Sequence, residues 1–270
     1  MQNLIYIAKL SGGKDSTAMC DLLLRHNYPL DYIVFCDTLA EFGEMYDYLD
    51  RVKEYFANKY NFTNFIITKP KVSIDDILFM TIGEKSKNHG KIKGAFLPQM
   101  GFCDWRLYSK MHPQEAFIKE LGLKKSQIRT YLGITIDEQK RCNRNDETLL
   151  YPLVDDFKMS ERDCKEYLIK QNMENPLYRH FTRTGCAFCP AQSKKAKFNL
   201  WKYYPQVWQK MKLYENQFLK IIENGGAVYN PYWFHDKPLS EYEKEFEKQD
   251  NQKQLFSFDD EPLKDCFCKF

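Results

Sequence analysis

The sequence changes character over seven residues near its N-terminus, where Ser-Gly-Gly-Lys-Asp-Ser-Thr (residues 11–17) separates an apolar run from apolar residues at helical spacing. A strand-to-helix junction of this kind presents backbone N–H groups and the positive end of the helix dipole, which together bind phosphate. Gly12 and Gly13 let the backbone approach a ligand closely, and Lys14 adds a positive charge. Asp15 suits a helix cap or a magnesium ion better than a simple anion site.

Two common phosphate loops are excluded by individual letters of this segment. The Walker A pattern needs a glycine where the sequence has Ala8, and it needs Ser or Thr where the sequence has Asp15. The dinucleotide pattern G-x-G-x-x-G is also absent. Ser16 and Thr17 remain as hydroxyl donors in the first helical turn. The pattern S-G-G-x-D-S therefore predicts a different loop for the phosphates of a nucleotide.

Strand and helix patterns alternate after this loop. We expect strands over residues 4–10, 31–38, 64–70 and 128–135, and helices over 16–26, 44–60, 73–84, 113–122 and 160–172. Ser73 and Ser160 are the expected N-caps of two of these helices, the second with Asp163 in a capping box. Alternation of this kind favours a parallel sheet covered on both faces. We therefore predict an α/β protein with a doubly wound, Rossmann-like parallel sheet.

The pattern changes again near residue 175, where a loop rich in Cys, Arg and Lys begins. A helical pattern follows over residues 198–224 with an interruption at Pro205, and residues 237–265 are mixed in charge and weakly patterned. Residues 84–104 lack a clear period and predict a mobile loop, which we interpret as a lid. We expect two domains, a nucleotide-binding α/β domain over residues 1–174 and a Cys-containing helical extension over residues 175–270.

The composition bounds the class of protein. The 270 residues are 43% hydrophobic and 16% aromatic, which is ample for a sizeable core. The net charge of only +3 does not indicate a strong positive electrostatic field that would attract nucleic acids in general. No run of 18 apolar residues predicts a membrane span, and the N-terminal letters do not resemble a signal peptide. We therefore expect a cytoplasmic protein without a membrane partner.

Nine cysteines are unusual for such a chain, and some of them are clustered. Without a secretory signal, clustered cysteines favour metal or redox chemistry over disulfides. Cys186 and Cys189 form a C-x-x-C pattern between Gly185 and Pro190, which suits two thiolates on one metal ion or cluster. The cysteines that could complete such a site are Cys103, Cys142, Cys266 and Cys268. Those inside apolar patterns, and so expected to be buried, are Cys20, Cys36 and Cys164.

Longer stretches extend the pattern beyond the loop. The chain contains, in order, VFCDTLAEFGEMYDYL, YLGITIDEQKR, YPLVDDFKMSERD and NPLYRHFTRTGCAFCPAQ. Over roughly residues 4–220, this order resembles the phosphoadenosine phosphosulfate reductase family within the PP-loop adenine nucleotide alpha-hydrolase superfamily. It is especially similar to phage-encoded members and to the DNA phosphorothioation ATP pyrophosphatases. The intact loop departs from true sulfonucleotide reductases, in which the loop is usually degenerate.

The resemblance implies a set of nucleotide contacts. The phosphates would be held by Ser11, Gly12, Gly13, Lys14, Asp15, Ser16 and Thr17. Asp37 and Thr38 follow the second predicted strand, at the edge where open α/β sheets place ligands. Gly133 would let the adenine approach the backbone, and Arg141, in the segment D-E-x-x-R, is the expected phosphate clamp. Lys14, Asp15 and Arg141 are therefore the candidate catalytic residues, with Mg²⁺ as a partner of the phosphates.

The resemblance also implies a metal site. Adenylylsulfate reductases of this family hold a [4Fe–4S] cluster with a Cys-Cys pair and a C-x-x-C, but here Phe102 precedes Cys103, so one ligand is missing. We expect a cluster held by Cys103, Cys186 and Cys189, either with Cys266 as fourth ligand or with one open iron site. A zinc site is the alternative, built from Cys186, Cys189, Cys266 and Cys268. A chain without a metal ion is the third interpretation.

Three functions remain open. The leading hypothesis is an enzyme that cleaves ATP between its alpha and beta phosphates and adenylates an acceptor, a nucleic acid or a small molecule, for sulfur transfer. The second is a sulfonucleotide reductase acting on PAPS or APS, in which Cys268 or Cys266 attacks sulfur and thioredoxin recycles the enzyme. The third is a nucleotide- or nucleic-acid-binding module with structural zinc. A sulfur-carrier protein and a second copy of the chain, in a homodimer, are further expected partners.

Basic and aromatic residues interleave around the C-x-x-C pattern. Such residues form tracks with stacking platforms in proteins that bind nucleic acids, although they also neutralise nucleotide phosphates or simply face solvent. The basic members near the pattern are Arg179, His180, Arg183, Lys194, Lys195, Lys197 and Lys202, and the aromatic ones are Phe181, Phe188, Trp201, Tyr203 and Tyr204.

Overall fold

The computed structural model describes residues 4–96 and 103–251 of the chain. These residues form two compact units. The first, which we call the sheet unit, comprises residues 4–70 and 109–179, and the second, the helical unit, comprises the described residues of 71–108 and 180–251. The predicted boundary at residue 174 lies close to the division at residue 179, whereas residues 71–96 belong to the helical unit.

The described part of the chain contains seven strands. They are β1 Ile5–Leu10, β2 Tyr32–Cys36, β3 Phe65–Thr68, β4 Ile92–Gly94, β5 Ile128–Tyr131, β6 Leu149–Leu150 and β7 Val228–Asn230. Five of them form the sheet of the first unit in the order β3-β2-β1-β5-β6, and every pair is parallel. The remaining two, β4 and β7, pair in parallel in the helical unit. The predicted α/β fold with a doubly wound parallel sheet is thereby confirmed.

The described residues also form ten α-helices. They are α1 Lys14–Arg25, α2 Gly43–Tyr60, α3 Ile74–Leu78, α4 Asp104–Arg106, α5 His112–Glu120, α6 Pro152–Asp155, α7 Glu161–Lys170, α8 Lys194–Tyr203, α9 Pro205–Glu223 and α10 Leu239–Asn251. Short 3-10 turns lie at Lys125–Gln127, Ile136–Arg141 and Pro176–Arg179, and a π-helical turn at Leu107–Met111. None of the helices within residues 4–96 and 103–251 is long and apolar enough to cross a membrane.

The core of the sheet unit contains the apolar residues whose sequence patterns predicted its strands and helices. Residues Ile33 to Cys36 of β2 are all buried, as expected for an inner strand covered on both faces. In α1, every residue from Asp15 to Leu23 is buried. Cys20 and Cys164 are 0% exposed, and burial raises the pKa of both thiols. These two cysteines, together with Cys36, are therefore core residues, as their sequence context predicted.

Local chemistry fixes the start of α7. The Ser160 hydroxyl accepts the Asp163 N–H at 3.1 Å, and the Asp163 carboxylate accepts the Ser160 N–H at 2.8 Å. This is the predicted capping box, and Ser73 with Asp76 forms a second one at α3. The hydrogen bonds to Ser160 lower the pKa of the Asp163 carboxyl. The first turn of α7 is therefore held in place, which matters for the functional site below.

Several elements differ from the prediction, and β6, β7, α4 and α6 were not predicted at all. Helix α3 ends at Leu78 rather than at residue 84, and β4 lies inside the segment expected to be a loop. Because β4 pairs with β7, which lies more than 130 residues further on, its local sequence gives no signal of a strand. Helix α10 occupies a weakly patterned stretch but buries Leu239, Tyr242 and Phe246 at helical spacing. The predicted roles of Cys266, Cys268 and the rest of the tail lie outside the described residues.

Candidate functional site

The glycine loop lies between β1 and α1, at the carboxyl end of the central strand of the sheet. Two hydroxyl groups hold it: the Ser16 Oγ accepts the Ser11 N–H at 3.0 Å and lies 2.9 Å from the Ser11 Oγ. The Gly13 N–H points to the Ser11 Oγ at 3.4 Å, and Gly13 is the N-cap of α1 without a side-chain cap. The loop therefore brings hydroxyl and backbone N–H groups to the positive end of α1, as an anion site requires.

Close packing requires glycine at two positions around the loop. Gly12 has a φ of +74°, and a Cβ there would lie 2.4 Å from Met45 Sδ. A Cβ on Gly133 would lie 2.8 Å from the Cα and 2.9 Å from the backbone N of Ser16. The end of β5 thus touches the first turn of α1. In the structure Gly133 serves this helix contact, while its predicted contact with adenine stays a prediction.

Lys14 is the most constrained residue of the loop. Its ammonium donates to Glu161 Oε2 at 2.6 Å, and its backbone N–H donates to the Tyr178 hydroxyl at 2.8 Å. The Lys14 Nζ also lies 4.0 Å from Asp15 Oδ1. Burial lowers the pKa of Lys14, but Asp15, Tyr178 and Glu161 raise it, so the pKa lies above its ordinary value. Lys14 is therefore a fixed positive charge at neutral pH.

Asp15 and Thr17 complete the first turn of α1. The Asp15 side chain is 12% exposed and Thr17 is 0% exposed, so both lie inside the loop rather than on its surface. The Asp15 carboxylate is a ligand that Mg²⁺ accepts together with phosphate oxygens. The residues present therefore fit the predicted ion, although they do not form a complete metal site by themselves.

Three residues that contact the loop, Glu161, Asn175 and Tyr178, were missed by the sequence reasoning. The Asn175 Nδ2 donates to the carbonyl oxygen of Gly12 at 2.8 Å, and its Oδ1 accepts the Leu177 N–H at 3.0 Å. Asn175 therefore ties the loop to the turn that carries Tyr178. Asn175 is 1% exposed. The available sequence signal was the dipeptide Asn175-Pro176, which favours the start of a turn. Glu161 was missed although it directly follows the predicted cap Ser160.

Asp37 and Thr38 build the turn that follows β2, at the same edge of the sheet. The Asp37 Oδ1 accepts the Leu39 N–H at 2.8 Å and the Tyr46 hydroxyl at 2.9 Å. The Thr38 hydroxyl donates to Glu41 Oε1 at 2.7 Å. Leu39 has a φ of +54°, which is rare for a bulky residue and which these contacts stabilise. The position agrees with the predicted one, and the nucleotide contact of both residues stays a prediction.

The segment D-E-x-x-R forms a 3-10 turn after β5. The Asp137 Oδ2 accepts the N–H of Glu161 at 2.7 Å, which connects this turn to the start of α7. The Arg141 guanidinium pairs with Glu138 Oε2 at 2.6 Å within the same turn. Asp137 thus supports the Lys14 partner Glu161, a role the sequence did not reveal. For Arg141, the structure gives an ion pair with Glu138, and the role as phosphate clamp stays a prediction.

The C-x-x-C pattern forms a single turn in the helical unit. The Cys189 N–H donates to the Cys186 carbonyl at 3.0 Å, and the Phe188 carbonyl between them accepts the Trp233 indole N–H at 3.0 Å. Cys103 is the N-cap of α4. Within residues 4–96 and 103–251, no group of three or more His, Cys, Asp or Glu side chains is arranged to hold a metal ion.

The predicted metal site is therefore not assembled by its described members. Cys103, Cys186 and Cys189 do not form a metal-binding group, and Cys266 and Cys268 lie outside the described residues. The described residues do not fit a [4Fe–4S] cluster or a zinc ion on their own. Both remain predictions.

Part of the interleaved aromatic set is organised around α8. The His180 ring stacks on the Tyr203 ring with centroids 4.1 Å apart, and the Asn199 side-chain amide donates to the His180 carbonyl. Tyr203 is 48% exposed, whereas Tyr204 is buried. His180 is therefore held as a structural stacking partner of Tyr203. A nucleic-acid contact at this surface stays a prediction.

The parallel sheet, with a glycine loop at the carboxyl end of its central strand, defines an α/β protein in which this loop lies where open sheets place ligands. Residues 5–192 match the sequence model of the phosphoadenosine phosphosulfate reductase domain. The chain belongs to this family, as its motifs predicted.

Solved structures are also similar, among them the crystal structure of phosphoadenylyl-sulfate (PAPS) reductase from Candida auris, in a phosphate complex, at 20% identity and a TM-score of 0.41. The match covers 64% of this chain and 76% of that chain. No match was found among curated proteins.

Proposed function

We propose that the chain binds ATP through residues 11–17 and cleaves it between the alpha and beta phosphates, adenylating an acceptor for sulfur transfer. The observation that carries the proposal is the position of Lys14, a mostly buried ammonium in the first turn of α1 at the end of the central strand. A fixed cation beside the positive end of a helix stabilises the charge that develops on a leaving pyrophosphate.

The proposed reaction is a displacement at the alpha phosphorus. A nucleophilic atom of the acceptor bonds to this phosphorus while the bond to the bridging oxygen breaks, and the electron pair leaves with pyrophosphate. Lys14 and the N–H groups of the first turn of α1 would take up the added negative charge. Removing one such preorganised donor lowers the rate of catalysis about 10²–10³-fold.

Asp15 would hold Mg²⁺ together with phosphate oxygens, and the hydroxyl groups of Ser16 and Thr17 lie in the same turn. The bound ion supplies charge neutralisation of the phosphates. Asp15 would otherwise repel a bare anion, and this repulsion favours a magnesium nucleotide over a bare sulfate ester. The remaining contacts, from Asp37, Thr38, Gly133 and Arg141, are proposed for the rest of the nucleotide.

A second function, sulfonucleotide reduction, is favoured by the family match over residues 5–192. In that case the loop would hold the phosphates of PAPS or APS, and a thiolate of Cys268 or Cys266 would attack the sulfate sulfur. The nucleotide would leave, and thioredoxin would reduce the resulting thiosulfonate to free the enzyme and sulfite. The intact loop, with Lys14 and Asp15 in place, favours the first function, the cleavage of ATP.

One experiment separates the candidates. Full-length protein is incubated with Mg-ATP or with PAPS and thioredoxin, and pyrophosphate and sulfite are measured. Since the acceptor is unidentified, ATP–pyrophosphate exchange is measured as well. For the first function, we expect ATP-dependent exchange or release that falls about 100-fold in Lys14→Gln. The control is Lys165→Gln, which removes an exposed lysine of α7 that pairs with Glu174.

Each outcome assigns a function. Sulfite formation that is lost when the last five residues are removed, with nucleotide binding kept, would establish the reductase. Nucleotide binding without either product, unaffected by Lys14→Gln, would contradict both enzymes and support a binding module. If ATP is the substrate, nucleic acids and sulfur-carrier proteins become the acceptors to test. Assembly as a homodimer is checked by sedimentation of the same samples.

A further inference from the structure

Two oxygen atoms of the protein accept the hydrogen bonds that Lys14 offers to a ligand under the proposed function. The Glu161 carboxylate accepts from the Lys14 ammonium at 2.6 Å, and the Tyr178 hydroxyl accepts from the Lys14 backbone N–H at 2.8 Å. Phosphate oxygens bound by the loop would need these same two donors. A ligand therefore competes with Tyr178 for the backbone N–H of Lys14, while the Glu161 carboxylate takes one of the three ammonium donors and offsets the positive charge that a phosphate would use.

Glu161 is held near Lys14 by its backbone rather than by chance. It is the first residue of α7, directly after the capping residue Ser160, and its N–H donates to Asp137 Oδ2 at 2.7 Å. Further along α7, the Tyr167 hydroxyl donates to the buried Asp21 carboxylate of α1. These contacts fix the two helices side by side, so the Glu161 carboxylate starts within reach of Lys14.

Burial decides which member of the pair can move. The Lys14 side chain is 12% exposed, whereas the Glu161 side chain is 37% exposed. Glu161 can therefore rotate into water at little solvation cost, while Lys14 stays where the loop holds it. The carboxylate is the replaceable partner, and the ammonium is the fixed one.

The geometry points to Glu161 as a residue that sets the affinity of the glycine loop, by occupying Lys14 until a polyphosphate displaces it. Tyr178 acts in the same way on the backbone N–H. Glu161 thus keeps weak anions from the loop and lowers the affinity for every ligand that needs Lys14. This inference rests on the proposed phosphate binding by residues 11–17 and adds a selectivity residue to it.

If Glu161 competes with the ligand, removing its charge must tighten the binding of pyrophosphate. If Glu161 has only a structural role, removing its charge would not tighten binding. In Glu161→Gln, the side chain keeps its length but loses the charge, so pyrophosphate no longer has to break an ion pair. We expect the Kd for pyrophosphate to fall about fivefold. This change corresponds to the free energy that a partly exposed ion pair contributes. The matched control is Glu166→Gln on the same helix, where Glu166 pairs only weakly with Arg162 at 3.5 Å.

The measurement is isothermal titration calorimetry of the full-length protein with inorganic pyrophosphate at fixed ionic strength. The proteins compared are the wild type, Glu161→Gln, Glu166→Gln and Lys14→Gln, with melting temperatures recorded for each. If Glu161→Gln binds no tighter than Glu166→Gln, while the wild type binds and Lys14→Gln does not, the inference is overturned and the proposed function stands. If neither the wild type nor Lys14→Gln binds pyrophosphate, the proposed function fails and the inference fails with it.

A second variant keeps the inference testable if Glu161→Gln does not fold. Tyr178→Phe removes the hydroxyl oxygen from the Lys14 N–H and retains the ring that lies 5.6 Å from the Lys14 ammonium. We expect about twofold tighter pyrophosphate binding, since a neutral hydrogen bond contributes less than an ion pair with a charged group. Weaker binding in a folded Tyr178→Phe would show that the hydroxyl supports the ligand instead of competing with it.

Discussion

The glycine loop and the C-x-x-C turn are both short segments with chemically active side chains, yet they are built differently. Residues 11–17 are contacted by Glu161, Asn175 and Tyr178, which lie about 150 residues away in sequence. The turn at residues 186–189 is closed by the hydrogen bond from the Cys189 N–H to the Cys186 carbonyl, and Trp233 contacts it by donating its indole N–H to the Phe188 carbonyl. Within the described residues, no group of three or more potential metal ligands includes this turn. Both segments are therefore tied to distant residues, but only the first has the groups of its predicted site within the described part of the chain.

The difference shows which kinds of site consecutive residues can specify. A phosphate loop needs only a strand, a turn and a helix in sequence, because backbone N–H groups do most of the binding. A metal site needs side chains from several segments to converge on one point. The loop can therefore be complete in one stretch of seven letters, whereas the cysteine turn is at most half of a site.

The largest predicted effect tests how tightly the loop is embedded. In Gly133→Ala, the new methyl group would meet the backbone of Ser16 at 2.8 Å, and backbone cannot move aside as a flexible side chain can. We expect a loss of about 3 kcal/mol in the free energy of unfolding, as for overpacked cores. The measurement is urea unfolding followed by circular dichroism.

The matched control lies beside the cysteine turn. A Cβ on Gly185 would meet nothing within 4 Å, so Gly185→Ala should change the stability by less than about 0.5 kcal/mol. Equal losses in the two variants would contradict the contrast drawn between the segments.

A second, smaller effect tests the helix pair that carries Lys14 and Glu161. The Asp21 carboxylate of α1 is fully buried and accepts the hydroxyl groups of Tyr60, at 2.7 Å, and of Tyr167. Burial and the bond to Asp21 raise the pKa of Tyr167, so its hydroxyl stays a donor. Tyr167→Phe removes this donor from a buried charge, and we expect it to destabilise the protein by about 2 kcal/mol. Thermal and urea unfolding measure the change.

Tyr203→Phe is the corresponding control in the helical unit. Tyr203 is 48% exposed and stacks on His180 through its ring, which phenylalanine retains. We expect a change below about 0.5 kcal/mol. A large loss in this variant would mean that the helical unit depends on polar contacts as strongly as the sheet unit does.

The sheet unit was largely predictable because its signals are local. All four strands predicted from sequence are present, and the start of α1 lies within two residues of the predicted one. The capping box of Ser160 and Asp163 was readable because both partners lie in one helical turn. The burial of Cys20 and Cys164 followed from their apolar surroundings.

The missed features share a physical reason: they depend on partners far along the chain. Strand β4 exists because of β7, and Asn175 becomes important only because Gly12 lies 2.8 Å away. Glu161 has no distinguishing letter of its own, since its role comes from the packing of α7 along α1. The metal prediction likewise depended on cysteines that are distant in sequence, and the described ones do not form a group of three or more metal ligands.

A third prediction concerns alkaline pH. The pKa of Lys14 lies above its ordinary value because Asp15, Tyr178 and Glu161 outweigh the effect of burial. Its contribution to stability is therefore present below the pKa of an unfolded lysine, about 10.4, and is lost as the pH rises through the higher folded pKa. We expect the wild type to lose about 1 kcal/mol or less relative to Lys14→Gln between pH 9 and pH 11.5. Urea unfolding at both pH values measures it.

Lys165→Gln supplies the comparison, because Lys165 is half-exposed and lies 3.6 Å from its partner Glu174. Other groups that titrate at high pH, the buried tyrosines among them, are shared by all three proteins and cancel in the difference. An identical pH dependence in Lys14→Gln and in the wild type would show that the ion pair with Glu161 does not contribute to folding.

The smallest expected effect concerns the cysteines themselves. If the turn at residues 186–189 is independent of the glycine loop, Cys186→Ser combined with Cys189→Ser should leave the Kd for pyrophosphate within about twofold of the wild type. Metal and acid-labile sulfide analysis of anaerobically purified protein shows in parallel whether these residues hold a metal. A brown protein that loses its sulfide in the double variant, yet binds pyrophosphate normally, would show that the cluster is not needed for pyrophosphate binding by the loop. Pyrophosphate binding that disappears together with the metal would instead make the cysteines part of the fold that supports Lys14, and the contrast between the two segments would be wrong.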